Sequence, residues 1–187
     1  MQQLIECVPN FSEGQDPAII RQITEVIEAT DGIRLLNVDP GKATNRTVVT
    51  FVGAPEQVVE AAFQAIRKAA ELIDMSKHKG EHPRMGATDV CPLIPISGIS
   101  MEETAAWAQK LAQRVGDDLK IPVYLYEAAQ PDPARKNLSV IRAGEYEGFF
   151  EKIRKPEWKP DFGPAVFPAR SGATVIGARN FLVAYNI

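Results

Sequence analysis

The spacing of apolar positions changes period several times along the 187-residue chain, and each change marks an element. "LIECVPNF" (4–11) opens with a short β-branched and apolar run, which predicts a strand. Asp16 then supplies a helix cap and Pro17 a favoured first helical residue, after which Ile19, Ile20, Ile23, Val26 and Ile27 fall on one helical face. "IRLLNVDP" (33–40) and "TVVTFVG" (47–53) are two strands joined by the turn "GKATN". From Pro55 to Asp74, Val58, Val59, Ala62, Ile66, Ala69 and Ile73 form the stripe of an amphipathic helix lying on a sheet.

"TDVCPLIPIS" (88–97) reads as a strand, and Pro92 and Pro95 predict that it runs at an edge or along a bulged path. Ser100 with Glu103 predicts a capping box for a helix through about Leu119, and "PVYLY" (122–126) a further strand. After Glu127 the pattern weakens. Pro131 and Pro133 mark a loop, and "YEGFFEKIRK" (146–155) is a short charged helix. Prolines at 156, 160, 164 and 168 exclude regular helix and sheet there, and "GATVIGARNFLVAYNI" (172–187) offers two strand-like runs around Gly177. Strand, helix, strand, strand, helix, strand is the order of a ferredoxin-like sandwich. The expected fold is therefore α+β, a βαββαβ core in one domain over 1–187, its antiparallel sheet covered by helices on one face and extended by an extra helix and C-terminal strands.

Composition narrows the function. A net charge of −3, with basic residues no denser than adjacent pairs, argues against a nucleic-acid footprint and favours a small-molecule or protein partner. No apolar stretch reaches the roughly 20 residues of a membrane span, and the start lacks the features of a signal peptide, so a cytoplasmic location is expected. In that compartment Cys7 and Cys91 are expected to be free buried thiols; a nucleophilic Cys7 would need a neighbouring base, and none is evident. Three glycosylation-type triplets, beginning at Asn10, Asn45 and Asn137, have no carbohydrate reading without export.

Both histidines lie in "SKHKGEHPRMGATDV" (76–90), amid Lys77, Lys79, Glu81 and Arg84. The four-residue spacing of His78 and His82 would suit a metal on a helix, but Gly80 and Pro83 oppose a helix, and no further His or Cys lies nearby, so no metal is expected. Two readings stay open from composition: a solvated basic loop after a helix, or a proton-transfer site on a glycine and proline loop whose positive charge draws a carboxylate ligand. Asp39 likewise reads either as turn chemistry in "DPG" or as a functional carboxylate at a strand end. "DFGPAVFPARSG" (161–172) could hold a flat heteroaromatic ligand or simply pack as an irregular loop.

Several motifs go further than composition. "ECVPNFSEG", "NRTVVTFVG", "LIDMSKHKGEHPRMGATDVCP", "PVYLY", "IRAGEYEG", "DFGP" and the final sixteen-residue run together resemble glutamate formimidoyltransferase, also called formiminotransferase, specifically its amino-terminal subdomain. The resemblance covers the chain from end to end. It implies a transferase that moves the formimino group from N-formimino-L-glutamate to tetrahydrofolate, a co-substrate, in histidine degradation and one-carbon metabolism.

Family members place folate between two ferredoxin-like subdomains. Residue by residue, the resemblance assigns the catalytic histidine to His82 and a folate-binding segment to Gly163, Pro164, Ala165, Val166, Phe167, Pro168, Ala169, Arg170, Ser171 and Gly172. Asp39 is expected to stabilise a cationic amidine or orient the imidazole, and Lys77, Lys79 or Arg84 to meet ligand carboxylates. The second subdomain and the cyclodeaminase domain of some members are expected to be absent. Either the 187 residues are a fragment of a longer chain, or a separate second-subdomain chain or a homo-oligomer is the expected partner. The alternatives are a non-catalytic folate- or anion-binding module, which needs no working His82, and a transferase using a formyl donor.

Overall fold

A computed structural model describes residues 1–182. Among them, strands β1 (Leu4–Cys7), β2 (Asn10–Phe11), β3 (Arg34–Gly41), β4 (Arg46–Gly53), β5 (Thr88–Ser97), β6 (Val123–Glu127) and β7 (Thr174–Ala178) form one sheet. The helices are α1 (Pro17–Glu28), α2 (Pro55–Leu72), α3 (Met101–Leu119), α4 (Leu138–Arg142) and α5 (Glu145–Lys152). The first run, "LIECVPNF", is a single path broken at Val8 and Pro9, because both β1 and β2 pair with β4 on one side and β5 on the other. Counting them as one strand gives the order β3, β4, β1/β2, β5, antiparallel throughout, which is the expected ferredoxin-like core.

Beyond β5 the sheet changes character. β7 pairs parallel to β5, and β6 parallel to β7, so the sheet is mixed rather than antiparallel. The crossover through α3 dictates this, since a strand–helix–strand unit returns its second strand in the same direction.

Helix ends follow the local chemistry. Asp16 accepts from the Ala18 N–H at 2.8 Å and Pro17 opens α1, while Ser100 and Glu103 form the reciprocal capping box of α3. Asn137, whose triplet carries no sugar reading, caps α4 by accepting from the Ser139 N–H at 2.8 Å. The proline-rich stretch holds only a short 3₁₀ turn at Pro156–Trp158 and an isolated bridge from Phe162 to Val123.

Pro92 and Pro95 do not place β5 at an edge: it lies between β1/β2 and β7. The N–H and C=O of one strand residue point to the same side. The Pro92 carbonyl accepts from Val8, so its missing donor faces the break between β1 and β2. The Leu93 carbonyl accepts from Arg179 on the other side, and by alternation Pro95 also faces that side, beyond the last β7 pair at Ala178. Each proline therefore meets a gap in the ladder, and the bulged path is real, with register shifts opposite both ends of β5.

Ile5, Cys7, Val49, Phe51, Cys91 and Leu93 are buried on the face under α1, α2 and α3. Cys7 and Cys91 are free thiols 3.5 Å apart on adjacent strands, and burial pushes the Cys7 thiol well up, which removes nucleophilic character.

Contrary to the expectation of a single covered face, the second face is covered too, but only over half its width. Tyr124 of β6 lies there edge-on to Phe149 of α5 with centroids 5.5 Å apart, and Trp158 flanks it. The β3–β4–β1 half of that face, with Val48, Thr50 and Val52 half-buried, has no helix over it among the described residues. Gly177 lies inside β7 rather than between two strands. The second apolar run, from Phe181 on, is not strand at Phe181 and Leu182, and its remainder lies outside the described residues.

Candidate functional site

The loop carrying both histidines joins α2 to β5 and is tied down at its tip and its base. Asn45, at φ 47°, is the tip's anchor: its side-chain amide donates to the Lys79 carbonyl at 2.9 Å and its side-chain oxygen accepts from the Gly14 N–H at 2.9 Å. The Asn45 carbonyl accepts from His78 Nε2 at 2.9 Å, while Arg84 Nε donates to His78 Nδ1 at 3.2 Å. With one ring nitrogen donating and the other accepting, His78 is a neutral structural clamp. At the base, Met75 N–H donates to Arg170 O and Ala87 N–H to Ser171 O, both at 2.8 Å, and Gly86 and Gly172 form an isolated antiparallel bridge.

His82, thus positioned, lies at the border between the covered and open halves of the second face. Its Nδ1 is 2.6 Å from the Pro83 carbonyl, which can only accept, so Nδ1 carries the proton. Its Nε2 meets Arg46 Nη1, which can only donate, so Nε2 presents its lone pair. The imidazole is neutral and a base. Burial lowers its pKa from the usual 6.5, and the charges of Arg46 and Arg142 lower it further against the Pro83 bond and Asp89.

Arg46 opens β4 and also donates through Nη2 to Asn10 Oδ1, and Asn10 in turn donates to the Val8 carbonyl at 3.0 Å. Behind them sits Asp89, only 1% exposed. It is the extra residue of the bulge in β5, since Asn10 pairs with Val90 and Phe11 with Thr88, and bulges re-aim side chains in this way. Asp89 accepts from the Met85 N–H at 2.9 Å and from Arg142 Nη2 at 2.5 Å. Burial pushes its carboxyl up, and Arg142 and the Met85 N–H oppose that. A pocket of about 230 Å³ lined by Pro83, Ser139, Arg142, Ala143, Gly144 and Glu145 adjoins this cluster.

The other predicted residues are distributed unevenly. Asp39, exposed on edge strand β3, pairs with Val48, which pairs with Asn10, so Asp39 shares the site's face two strands, roughly 10 Å, away. The imidazole is oriented by Pro83 and not by Asp39. Lys77 is 83% exposed, 3.6 Å from Asp74, and Lys79 is exposed as well. Arg84 is already matched by a two-pronged pair with Glu147 at 2.8 and 2.9 Å, with Glu145 at 3.4 Å.

In the 163–172 segment, Val166 is 70% exposed and Phe167 is buried against Tyr146, Phe149 and Phe150, while Ser171 and Gly172 serve the loop base. Sequence reasoning missed Arg46, Asn10, Asp89 and Arg142. The available signals were a charged residue opening a strand and a lone acid inside an apolar one. No cluster of metal-ligating side chains occurs among the described residues, and none of their helices is long and apolar enough to cross a membrane.

Residues 4–179 match the formiminotransferase domain, N-terminal subdomain. The chain is 58% identical over its full length to the formimidoyltransferase-cyclodeaminase of Mus musculus, covering 35% of that protein. It is 47% identical to the glutamate formimidoyltransferase of Thermoplasma acidophilum, with 98% of the chain on 61% of that protein, and 43% identical to that of Streptococcus pyogenes serotype M1, with 100% on 62%. The chain thus spans about a third of the longer relatives and under two thirds of the shorter ones.

Proposed function

The chain belongs to the formiminotransferase family, as its amino-terminal subdomain, and from that premise we propose that it forms one wall of a site transferring the formimino group of N-formimino-L-glutamate to tetrahydrofolate, with His82 carrying the proton. The observation that carries this reading is the neutral His82, with Nδ1–H fixed on Pro83 and Nε2 free of a proton beside Arg46. In the reaction the N5 amine of tetrahydrofolate attacks the formimino carbon and forms the new C–N bond. His82 Nε2 takes the N5 proton and returns it to the glutamate nitrogen as that C–N bond breaks. A base with a pKa near or below neutrality suits both transfers, worth about 10² to 10⁴ in rate.

The other roles follow position. Asp39, on the same face and exposed, meets the cationic amidine rather than the imidazole. The exposed part of the 163–172 segment, Pro164 to Val166, contacts folate, and Lys77 and Lys79 stand outermost, where the glutamyl carboxylates approach. The opposite wall comes from a second subdomain, as family membership implies, and the setting is cytoplasmic histidine degradation.

The test is turnover of N-formimino-L-glutamate with tetrahydrofolate, and of the formyl donor as a comparison, in the chain alone and combined with a second-subdomain chain. His82→Ala should lower turnover by about 10² to 10⁴ while folate affinity persists. Because the pKa of His82 is lowered, its base form persists to lower pH than that of an ordinary imidazole, so the acid-side fall of kcat/KM should have its midpoint below the usual histidine value of 6.5. Turnover within a few-fold of the native value in His82→Ala would refute the assignment.

A further inference from the structure

Arg46 and Arg142 face His82, and Arg84 lies two residues along the same loop against His78; of the three, Arg142 and Arg84 are matched. Arg142 is paired with Asp89, and Arg84 with Glu147 and Glu145. Arg46 has no carboxylate partner among the described residues: of the five N–H donors of a guanidinium, Nη1 meets His82, Nη2 meets Asn10, and Nε is buried with no acceptor. Around His82 the charges are Arg46 from β4, Arg142 from α4 and Asp89 from β5, so one positive charge is left over. It belongs to Arg46, partly buried where water compensates it poorly, and it stands against the one lone pair the reaction needs.

We propose that Arg46 is the carboxylate-binding residue of this site, and that in the ligand-free protein its guanidinium occupies the His82 base, releasing it only when a ligand carboxylate engages the guanidinium. The gating half rests on the proton-carrying role of His82 given above; the binding half stands on the unmatched charge alone. A carboxylate presents two acceptor oxygens to the fork of an arginine, which neither Asn10 nor an imidazole can do. Once engaged, it pulls Nη1 away from Nε2 and cancels the charge that opposes protonation of the ring. Both effects make His82 a stronger, accessible base at the moment substrate arrives. Lys77 and Lys79 then steer ligands from the loop's outer surface without holding them.

The chain's two histidines make the test direct, because ring-nitrogen NMR resolves His82, with His78 as an internal reference. The probes are N-formyl-L-glutamate, added without tetrahydrofolate so that no acceptor for transfer is present, and its carboxylate-free diamide. Saturating N-formyl-L-glutamate should raise the His82 pKa by about one unit and leave His78 unmoved, and the diamide should do neither. In Arg46→Met the His82 pKa should start high, stay fixed on adding N-formyl-L-glutamate, and accompany a loss of affinity of about tenfold.

If the methionine variant fails to fold, as its amide spectrum would reveal, Arg46→Lys replaces it. That variant keeps the charge but lacks the two-pronged fork, so weaker binding and a smaller pKa response are expected. A His82 pKa that saturating N-formyl-L-glutamate does not move overturns the gating, and an arginine variant that binds it as tightly as the native chain overturns the subsite. These outcomes are independent of the His82→Ala turnover result: a ring that responds to carboxylate while that variant still turns over would sink the catalytic reading and leave the subsite standing.

Discussion

Asn45 occupies a backbone conformation that few side chains tolerate, and its side chain gives that conformation a purpose. At φ 47° it turns the chain from the hairpin into β4, and its amide joins the Gly14 loop to the histidine loop. Asn45→Gly keeps the turn and removes both side-chain bonds, which should cost about 2 kcal/mol, and Asn45→Ala adds a further 1 kcal/mol or so for the left-handed backbone. Urea unfolding of the two variants checks the order; an alanine variant as stable as the glycine one would show that the conformation carries no strain. At this scale the sequence was legible where a residue type is scarce. His82 stood out as one of only two histidines, in a loop where glycine and proline exclude regular structure. Arg46, Asn10 and Asp89 did not, because an arginine after a turn, an asparagine before a phenylalanine and an acid in a strand are each ordinary. Only the bulge in β5 and the register of β2 bring them to one imidazole.

Helix α4 is too short to hold itself, since isolated helices of even a dozen residues are marginal in water. Lys152 of α5 supplies what it lacks: Nζ donates to the carbonyls of Val140, Ile141 and Ala143 at 3.0, 2.6 and 2.9 Å, with the Trp158 ring 3.9 Å away. Burial there, with the like charge of Lys155, brings its pKa down to about 8. Because α4 carries Arg142, this cap also steadies the Asp89 pair behind His82. Lys152→Met should therefore cost about 2–3 kcal/mol in urea unfolding and lower turnover as well. Full activity in a destabilised Lys152→Met protein would separate α4 from the site. Long periodic elements, α1, α2, α3 and the β3–β4 hairpin, could be read from spacing and caps. The α4 turn could not, having no period of its own, and the central place of β5 could not, because proline tolerance there depends on gaps in neighbouring strands.

For the molecule as a whole, the proline-rich segment is the part whose purpose no local pattern announces. Starting at Gly163, packed on Gly116 of α3, it passes the beginnings of β6 and β7, buries Phe167 against α5, and ends on both strands of the histidine-loop base. It links the helical layer, the second-face aromatic cluster and the site, and so gives a single fold to segments about a hundred residues apart. The βαββαβ order was visible in the sequence because each unit is local, whereas this closure was not, since it depends on backbone meeting backbone at Gly86 and Gly172. A Cβ on Gly172, at φ 65°, would lie 2.2 Å from the Met85 carbonyl oxygen and 2.7 Å from the Gly86 Cα, so the segment must lift for any side chain to fit. Gly172→Ala should accordingly cost about 2–4 kcal/mol. The damage should be directional: amide exchange should speed up at Met85, Ala87 and Ala173, whose N–H groups bond within or beside this closure, while α1 and the β3–β4 hairpin keep native protection. Uniform acceleration over the whole sheet would instead mean that the segment is part of one cooperative core, and that the histidine loop has no separate hinge of its own.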